Sequence, residues 1–126
     1  MPLEAGLSAR CSLTVTTVDL APQWKTGDVA VLATARLVAL AEEATVAAIA
    51  GQLELGATSV GHRIQIDHLA PAVLGQTIDA DALLEAVEGR RLIFRVSISD
   101  SHGLLAAGRV TRVIVERERF LEKARQ

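Results

Sequence analysis

The chain has 126 residues, of which 50% are hydrophobic and only 2% aromatic, and its formal net charge is −2. This length is typical of one domain, and we predict a single domain spanning residues 1–126. The apolar share excludes intrinsic disorder, and the charge balance with few aromatic rings argues against nucleic-acid binding. Since no apolar run approaches a transmembrane length and no signal-peptide pattern opens the chain, we expect no membrane association and a cytoplasmic location.

The N-terminal part begins with a predicted strand and continues into a predicted loop. Residues 9–18 are rich in leucine, valine and threonine, a composition typical of strands. Residues 19–28 contain Pro22 and Gly27, which favour a loop. Trp24 lies in that loop, where it either covers the core or forms a lid over a pocket. The single cysteine, Cys11, excludes an internal disulfide and a zinc site built from several thiols.

Residues 31–50 give the clearest predicted helix, because they contain no glycine or proline, are rich in alanine and precede a glycine. Thr34 lies near the start of this helix, where free backbone amides favour negative charge. Glu43 points away from the apolar face and is expected to be solvated, whereas Glu42 lies on its flank. A helical period of 3.6 places six residues on that apolar face: Leu37, Val38, Ala41, Thr45, Ala48 and Ile49.

Beyond residue 56 the apolar period changes from 3.6 to 2, which predicts four strands over residues 60–70, 77–87, 91–99 and 104–115, followed by a short helix in 116–126. In the first of these strands, Gly61 is expected on the face opposite to a set comprising Val60, His62, Ile64, Ile66, His68 and Ala70. In the second strand, the side chains predicted to point inward are those of Ile78, Ala80, Ala82, Leu84 and Ala86. The third is predicted to point inward with Leu92, Phe94, Val96 and Ile98.

The order of these elements is a strand, a long helix and four consecutive strands joined by tight turns. Such an order predicts an α+β protein in which one helix covers a curved antiparallel sheet of about five strands, the hot dog fold. Four alanines would let the sheet approach the helix closely: Ala33, Ala41, Ala44 and Ala48. Because one helix leaves much of the sheet uncovered, we expect at least a homodimer, with a dimer of dimers left open.

Three polar residues interrupt the apolar surfaces and are candidates for chemistry. Glu42 and His68 would form an acid and base pair in a cleft, and Thr34 would add a hydroxyl. Each of these residues also has a purely structural interpretation. Thr34 would be a cap or first-turn residue of the helix, and the Glu42 side chain would extend into solvent. His68 would be a hydrogen-bonded histidine in the core or at the edge of the sheet. His62 shares the predicted face of His68, and His102 is expected to be exposed in a turn. No metal, phosphate-loop or dinucleotide motif is present, so we predict neither a metal nor a cofactor.

Three segments of the chain resemble one known family. They are residues 31–42 (VLATARLVALAE), residues 59–68 (SVGHRIQIDH) and the hairpin formed by residues 87–92 and 94–97. In these segments and their order the chain is similar to the hot dog thioesterases, and among them to the fluoroacetyl-CoA thioesterase type. The resemblance extends from about residue 29 to the C-terminal end.

This resemblance implies that an acyl-CoA thioester is hydrolysed at a dimer-interface site, with CoA entering only as part of the substrate. It assigns Thr34, Glu42 and His68 as the catalytic set. Gly61 would line the acyl site, where its missing side chain lets a thioester approach the backbone, and Arg112 would support substrate binding. Glu42 either attacks the thioester carbonyl or activates water, while His68 moves protons and helps to release the CoA thiol. Thr34 would hydrogen-bond the carbonyl or the carboxylate.

The chain departs from the resemblance just before the helix. The fluoroacetyl-specific type has an aromatic lid there, whereas residues 26–31 contain no aromatic side chain and only Trp24 lies nearby. The sequence therefore favours a small or medium acyl-CoA substrate rather than a fluorinated one. Two alternatives stay open: a non-catalytic acyl-CoA-binding protein of the same fold, and a purely structural dimer module.

Overall fold

A computed structural model describes residues 3–126 as a five-stranded antiparallel sheet with one long helix. The strands occur in the spatial order β1-β3-β4-β5-β2, so β1 and β2 form the two edges. This arrangement confirms the predicted α+β hot dog fold. The element bounds are β1 Ser8–Thr14, α1 Ala21–Trp24, α2 Thr34–Ala48, β2 Ala57–His68, β3 Thr77–Glu88, β4 Arg91–Asp100, β5 Gly103–Glu116 and α3 Arg117–Ala124.

The core lies between α2 and the inner face of the sheet, where α2 packs mainly against β1 and β3. The four alanines expected to permit close packing, Ala33, Ala41, Ala44 and Ala48, are all buried. Leu40 joins the buried face of α2, while Val38, which was predicted there, is only half-buried. The four inward residues predicted for β4 are all buried, with Phe94 the largest fully buried side chain. An aliphatic core thus surrounds a single buried aromatic ring.

The segment before α2 differs from its prediction in three ways. Strand β1 ends at Thr14, and a 3-10 turn at Thr17–Asp19 follows, because the Asp19 carboxylate accepts hydrogen bonds from Thr16 and draws the chain round. The predicted loop contains the one-turn helix α1. Helix α2 begins at residue 34 rather than 31, since Leu32 is extended, buried and bridged to Leu20.

Strand β2 contains a bulge that reverses the predicted arrangement of its N-terminal half. Gly61 pairs with Arg112 of β5, but Arg63 pairs with Thr111, so His62 is an extra residue in the strand. Directly paired residues share a face, and one extra residue moves the rest of a strand to the opposite face. The prediction that Gly61 lies opposite His68 is therefore wrong, because the bulge places both on the inner face.

Strand β3 contains a second bulge, at Glu85. Leu84 pairs with Phe94 and Ala86 pairs with Ile93, which turns Ala86 away from the inner face. Val87 packs against the core in its place, opposite Leu92. The prediction of an inward Ala86 is wrong for the same reason as in β2, whereas the inward positions Ile78, Ala80, Ala82 and Leu84 are confirmed.

The edge strand β2 leaves apolar surface exposed. Ile64, on its inner face, is 37% exposed, and Val46 of α2 is also exposed.

The predicted C-terminal helix is confirmed as α3, an exposed element. Within residues 3–126 no helix combines the length and hydrophobicity needed to cross a membrane.

Candidate active site

Thr34 and His68 form a hydrogen-bonded pair at one end of α2. Thr34 is the first residue of α2, and its hydroxyl lies 2.8 Å from Nδ1 of His68, the last residue of β2. The other ring nitrogen of His68, Nε2, is buried and has no hydrogen-bond partner among the described residues. The imidazole is thus oriented through one nitrogen, while the other is buried without a hydrogen-bond partner.

Glu42 lies on α2 about two turns after Thr34, and it forms an ion pair with a buried arginine. Its Oε2 lies 3.2 Å from Nη1 of Arg112, whose side chain is only 8% exposed. The Glu42 side chain itself is 36% exposed, so the carboxylate is held in place yet accessible. Its neighbour Glu43 is 54% exposed and contacts Arg36, which bears out the different surroundings expected for the two glutamates.

Arg112 is held by Ser59, a residue that the sequence did not single out for any role. The arginine Nε donates to the Ser59 hydroxyl at 2.9 Å, and Nη2 donates to the Ser59 carbonyl at 3.1 Å. These bonds provide hydrogen-bond partners for two of the three guanidinium nitrogens, and they direct the third, Nη1, toward Glu42. The two-residue spacing between Ser59 and Gly61 is the sequence signal that they share a face.

Gly61 lies directly beneath the Glu42 carboxylate. A Cβ atom built at this glycine would lie 2.7 Å from Oε2 of Glu42 and 3.9 Å from Nη1 of Arg112. The absence of a side chain therefore leaves room for the ion pair and brings bare backbone next to a carboxylate. The resemblance assigned Gly61, Glu42 and Arg112 to one site, and the structure brings these three together.

The structure does not join the two groups of site residues within one chain. Thr34 and Glu42 are separated by about 12 Å along α2. Gly61 and His68 are separated by roughly 20 Å along β2. Among residues 3–126 no hydrogen bond links His68 to Glu42. The candidate site therefore consists of two halves, which we call the threonine half (Thr34 and His68) and the glutamate half (Glu42, Ser59, Gly61 and Arg112).

A cavity of about 400 Å³ opens beside the threonine half. Thr34, His68 and the chain segment leading into α2 contribute to its lining, whereas Trp24 does not. The Trp24 indole instead donates a hydrogen bond to the Val18 carbonyl at 2.8 Å and is 41% exposed. Trp24 is thus neither a core residue nor part of this cavity.

The remaining titratable residues that drew interest lie outside both halves. His62 is exposed in the β2 bulge, and His102 is exposed in the β4–β5 turn, as expected. Cys11 is a half-buried free thiol in β1. No group of three or more potential metal ligands occurs in the described part of the chain.

Asp19 is a further buried polar residue, and it supports the start of α2. Its carboxylate accepts hydrogen bonds from the Thr16 backbone and hydroxyl and from Nε of Arg36, while its backbone carbonyl accepts from Ala33. Burial by itself raises the pKa of Asp19, but the hydrogen bonds from Thr16 and Arg36 outweigh it and hold this pKa below its ordinary value. A Thr-x-x-Asp capping box is the signal that would have revealed this residue.

Known proteins share both the sequence and the shape of this chain. The family described as "FlK: Fluoroacetyl-CoA-specific thioesterase" matches residues 15–118. A fluoroacetyl-CoA thioesterase of Streptantibioticus cattleyicolor is 41% identical over 96 residues, which cover 76% of this chain and 69% of that protein.

Solved structures agree with the sequence match. A variant of the thioesterase FlK in complex with acetyl-CoA superimposes with a TM-score of 0.91 at 31% identity, covering 98% of both chains. A Thermus thermophilus protein described as a thioesterase superfamily member gives a TM-score of 0.91 at 29% identity, covering 98% of this chain and 92% of that one.

Proposed function

Because the chain belongs to the FlK family of thioesterases, we propose that it hydrolyses acyl-CoA thioesters at a site built from both halves described above. Water and the thioester give a carboxylic acid and the free CoA thiol. The observation that carries this proposal is the Glu42 carboxylate, fixed by buried Arg112 and lying against the bare backbone of Gly61. A protein that only bound acyl-CoA would not need an accessible, oriented carboxylate at this position.

Glu42 is the group that initiates the reaction. Its carboxylate either attacks the thioester carbonyl carbon directly or removes a proton from an attacking water. The ion pair with Arg112 fixes the direction of the carboxylate, and Gly61 allows the thioester carbonyl to approach the backbone. In both routes the C–S bond breaks as the tetrahedral intermediate collapses. Direct attack leaves an anhydride between the acyl group and Glu42, and water then hydrolyses this anhydride to the carboxylic acid and the free Glu42 carboxylate.

His68 completes the reaction by supplying a proton to the departing CoA thiolate. Its Nδ1 is occupied by the Thr34 hydroxyl, so Nε2 is the nitrogen able to exchange a proton. The free amides of the first turn of α2 lie beside Thr34 and favour a developing negative charge. The threonine half thus suits proton transfer, and the glutamate half suits attack on the carbonyl.

A second copy of the chain would bring the two halves together, and we propose a homodimer formed through the β2 edge. If a two-fold axis passed near Gln65, antiparallel pairing of two β2 strands would place Gly61 opposite His68 of the partner subunit. The bulge at His62 supports this arrangement, since it puts Gly61 and His68 on the same face. The exposed Ile64 on that face would be covered by the pairing.

Thiol release from acyl-CoA tests the reaction. The purified protein is expected to liberate free CoA from acyl-CoA substrates, followed with a colorimetric thiol reagent. Glu42→Gln should abolish most of this release, while Glu43→Gln should not. Acyl-CoA binding without any thiol release would instead favour the non-catalytic binding protein, and an unchanged melting temperature with every acyl-CoA would favour a structural module.

Hybrid dimers test whether each site combines both subunits. A Glu42→Gln subunit and a His68→Ala subunit, carrying different tags, are co-expressed and the mixed dimer is isolated. If each site takes its halves from two subunits, one of the two sites is intact and about half of the wild-type activity returns. Sites contained within single subunits would leave the hybrid inactive, and a monomer in solution would contradict the dimer altogether.

The proposal includes two further expectations from the sequence. The reaction needs no cofactor or metal, so dialysis against a chelator should leave thiol release unchanged. A cytoplasmic location fits an acyl-CoA substrate, because CoA thioesters are intracellular metabolites. Cell fractionation would test this location.

A further inference from the structure

The cavity beside the threonine half is lined mostly by small and aliphatic residues. Ala21, Gly27, Val29, Val31 and Ala70 belong to its lining, which contains no phenylalanine, tyrosine or tryptophan. Its polar lining comes from Thr34 and His68, together with Thr26 and Asp28. An apolar space with a few polar groups at one end is the usual form of a small-molecule pocket.

The size of this cavity exceeds the needs of a two-carbon acyl group. Its volume is about 400 Å³. An acetyl or fluoroacetyl group occupies the space of only two or three waters, at about 30 Å³ each. No phenylalanine, tyrosine or tryptophan side chain reduces this space, so a two-carbon acyl chain would leave most of the apolar lining in contact with water. A longer aliphatic chain would bury that lining.

Asp28 limits the charge of the group that enters. It is the only carboxylate in the lining, and no arginine or lysine lies within ion-pair distance of it in the described part of the chain. A second carboxylate near it would be repelled, which should lower kcat/KM for a dicarboxylic acyl group about fivefold. The lining therefore disfavours dicarboxylic acyl groups.

We propose that this cavity holds the acyl group and selects uncharged aliphatic chains of about four to six carbons, straight or branched, over two-carbon and dicarboxylic chains. This inference rests on the proposed thioesterase function and adds the substrate class to it. Each buried methylene contributes about 0.8 kcal/mol, which corresponds to about a fourfold gain in kcat/KM. Part of that gain is lost wherever the chain stays in contact with water.

A panel of substrates tests the selectivity. We expect kcat/KM for isovaleryl-CoA to exceed that for acetyl-CoA and for fluoroacetyl-CoA at least tenfold, and butyryl-CoA to exceed succinyl-CoA at least fivefold. A two-carbon substrate that is hydrolysed fastest, or succinyl-CoA used as well as butyryl-CoA, would overturn the inference and leave the thioesterase function standing. If no substrate is hydrolysed, the proposed thioesterase function is wrong. The selectivity is then tested by calorimetry, and the affinities for the same acyl-CoAs should follow the order expected for kcat/KM.

Two valines of equal exposure provide a matched pair of variants. Val29 lines the cavity and is 62% exposed, while Val18 is 63% exposed and lies outside the lining. Val29→Phe should reduce the ratio of isovaleryl-CoA to acetyl-CoA kcat/KM at least fivefold, because the ring occupies acyl space. Val18→Phe should leave that ratio unchanged. Equal ratios in both variants would overturn the assignment of the cavity.

Gly27 offers a second way to narrow the cavity if Val29→Phe does not fold. A Cβ at this position would meet only Ala21 Cβ, at 3.7 Å, which is ordinary van der Waals contact. Gly27→Leu should therefore fold and shift the preference toward shorter chains, whereas Gly27→Ala should shift it much less. An undiminished preference for five carbons in a folded Gly27→Leu protein would contradict the proposal.

Discussion

The threonine half and the glutamate half both use α2 and β2, but the glutamate half also includes Arg112 of β5, and the two are constructed differently. The threonine half is a hydrogen bond between two side chains at the ends of their elements, beside an open cavity. The glutamate half is a charged pair where the edge strand β2 meets β5, with its arginine almost fully buried. The first joins the start of α2 to the end of β2, whereas the second depends on the register of β2 and β5.

This difference indicates how each half should respond to change. A hydrogen bond between exposed or half-buried side chains contributes modestly to the free energy of unfolding, so its loss should alter the rate more than the stability. A buried charge requires its partner, and removing either member leaves the other without compensation. The variants below separate the two halves, beginning with the largest expected effect.

Removing the charge of Glu42 should have the largest effect on catalysis. Glu42→Gln keeps the size of the side chain but removes the carboxylate needed for attack or for proton removal, so we expect kcat to fall about 10³-fold. Glu43→Gln is the matched control, because Glu43 is the next residue and points into solvent. Steady-state thiol release measures both. Comparable losses in the two variants would show that Glu42 has no special role.

Adding one methyl group at Gly61 should disturb the glutamate half without unfolding the protein. The new Cβ in Gly61→Ala would meet the Glu42 carboxylate at 2.7 Å, and this flexible side chain is able to move aside. We expect kcat/KM to fall about 10²-fold, because a 1 Å misplacement of a catalytic group costs about that much, with little change in melting temperature. Unchanged kinetics would show that the carboxylate position is not critical.

Gly108 supplies the contrasting control for this substitution. It lies on β5 opposite Ile66, and a Cβ there would clash with the backbone of Gln65 in β2. Backbone cannot move aside as a side chain does, so Gly108→Ala should lower the melting temperature clearly. If Gly61→Ala proved as destabilising as Gly108→Ala, its loss of activity would reflect the fold rather than the site.

The hydroxyl of Thr34 should matter less than the carboxylate of Glu42. Thr34→Val removes the hydrogen bond to His68 Nδ1 while preserving shape, and we expect kcat to fall about tenfold, equivalent to about 1.4 kcal/mol. Thr34→Ser retains the hydroxyl and should stay within about threefold of the wild type. Equal activity of the valine and serine variants would remove Thr34 from the catalytic set.

The sequence predicts the residues of the two halves better than their geometry. Helical periodicity separates Glu42 from Glu43, and the resemblance assigns every member except Ser59. The alternation of β2 could not reveal that Gly61 faces inward, because Val60, Ile64 and Ile66 all occur in the same phase of a two-residue period. A bulge adds one residue without changing composition, so only pairing with β5 exposes it.

The burial of Arg112 is a second feature that could not be predicted from the sequence. Arginine is seldom fully buried unless it is paired, and the partner here is 70 residues away on α2. The late start of α2 has a similar origin, since Leu32 is drawn into an extended bridge with Leu20. Long-range packing, rather than local propensity, decides both.

The smallest expected effect concerns the support of the threonine half and depends on pH. Asp19 anchors the residues before α2, and its pKa lies below the ordinary value of 3.8. A lowered carboxylate pKa means that the ionised form stabilises the fold above about pH 3.8 and that this stabilisation is lost as the pH falls through the folded-state pKa. Asp19→Asn should therefore cost about 1–2 kcal/mol of unfolding free energy at pH 7.

The pH dependence gives this prediction its test. The difference in unfolding free energy between the wild type and Asp19→Asn, measured by denaturant titration, should shrink as the pH falls below about 3.8 and through the folded-state pKa of Asp19, because protonation removes the charge of the wild-type carboxylate. Asp67→Asn, on the exposed outer face of β2, is the surface control and should follow the wild type throughout. Because Asp19 supports the start of α2 and not the sheet, Asp19→Asn should also weaken catalysis in the same direction as Thr34→Val. A constant difference across pH would mean that the anchor acts through its shape rather than through its charge.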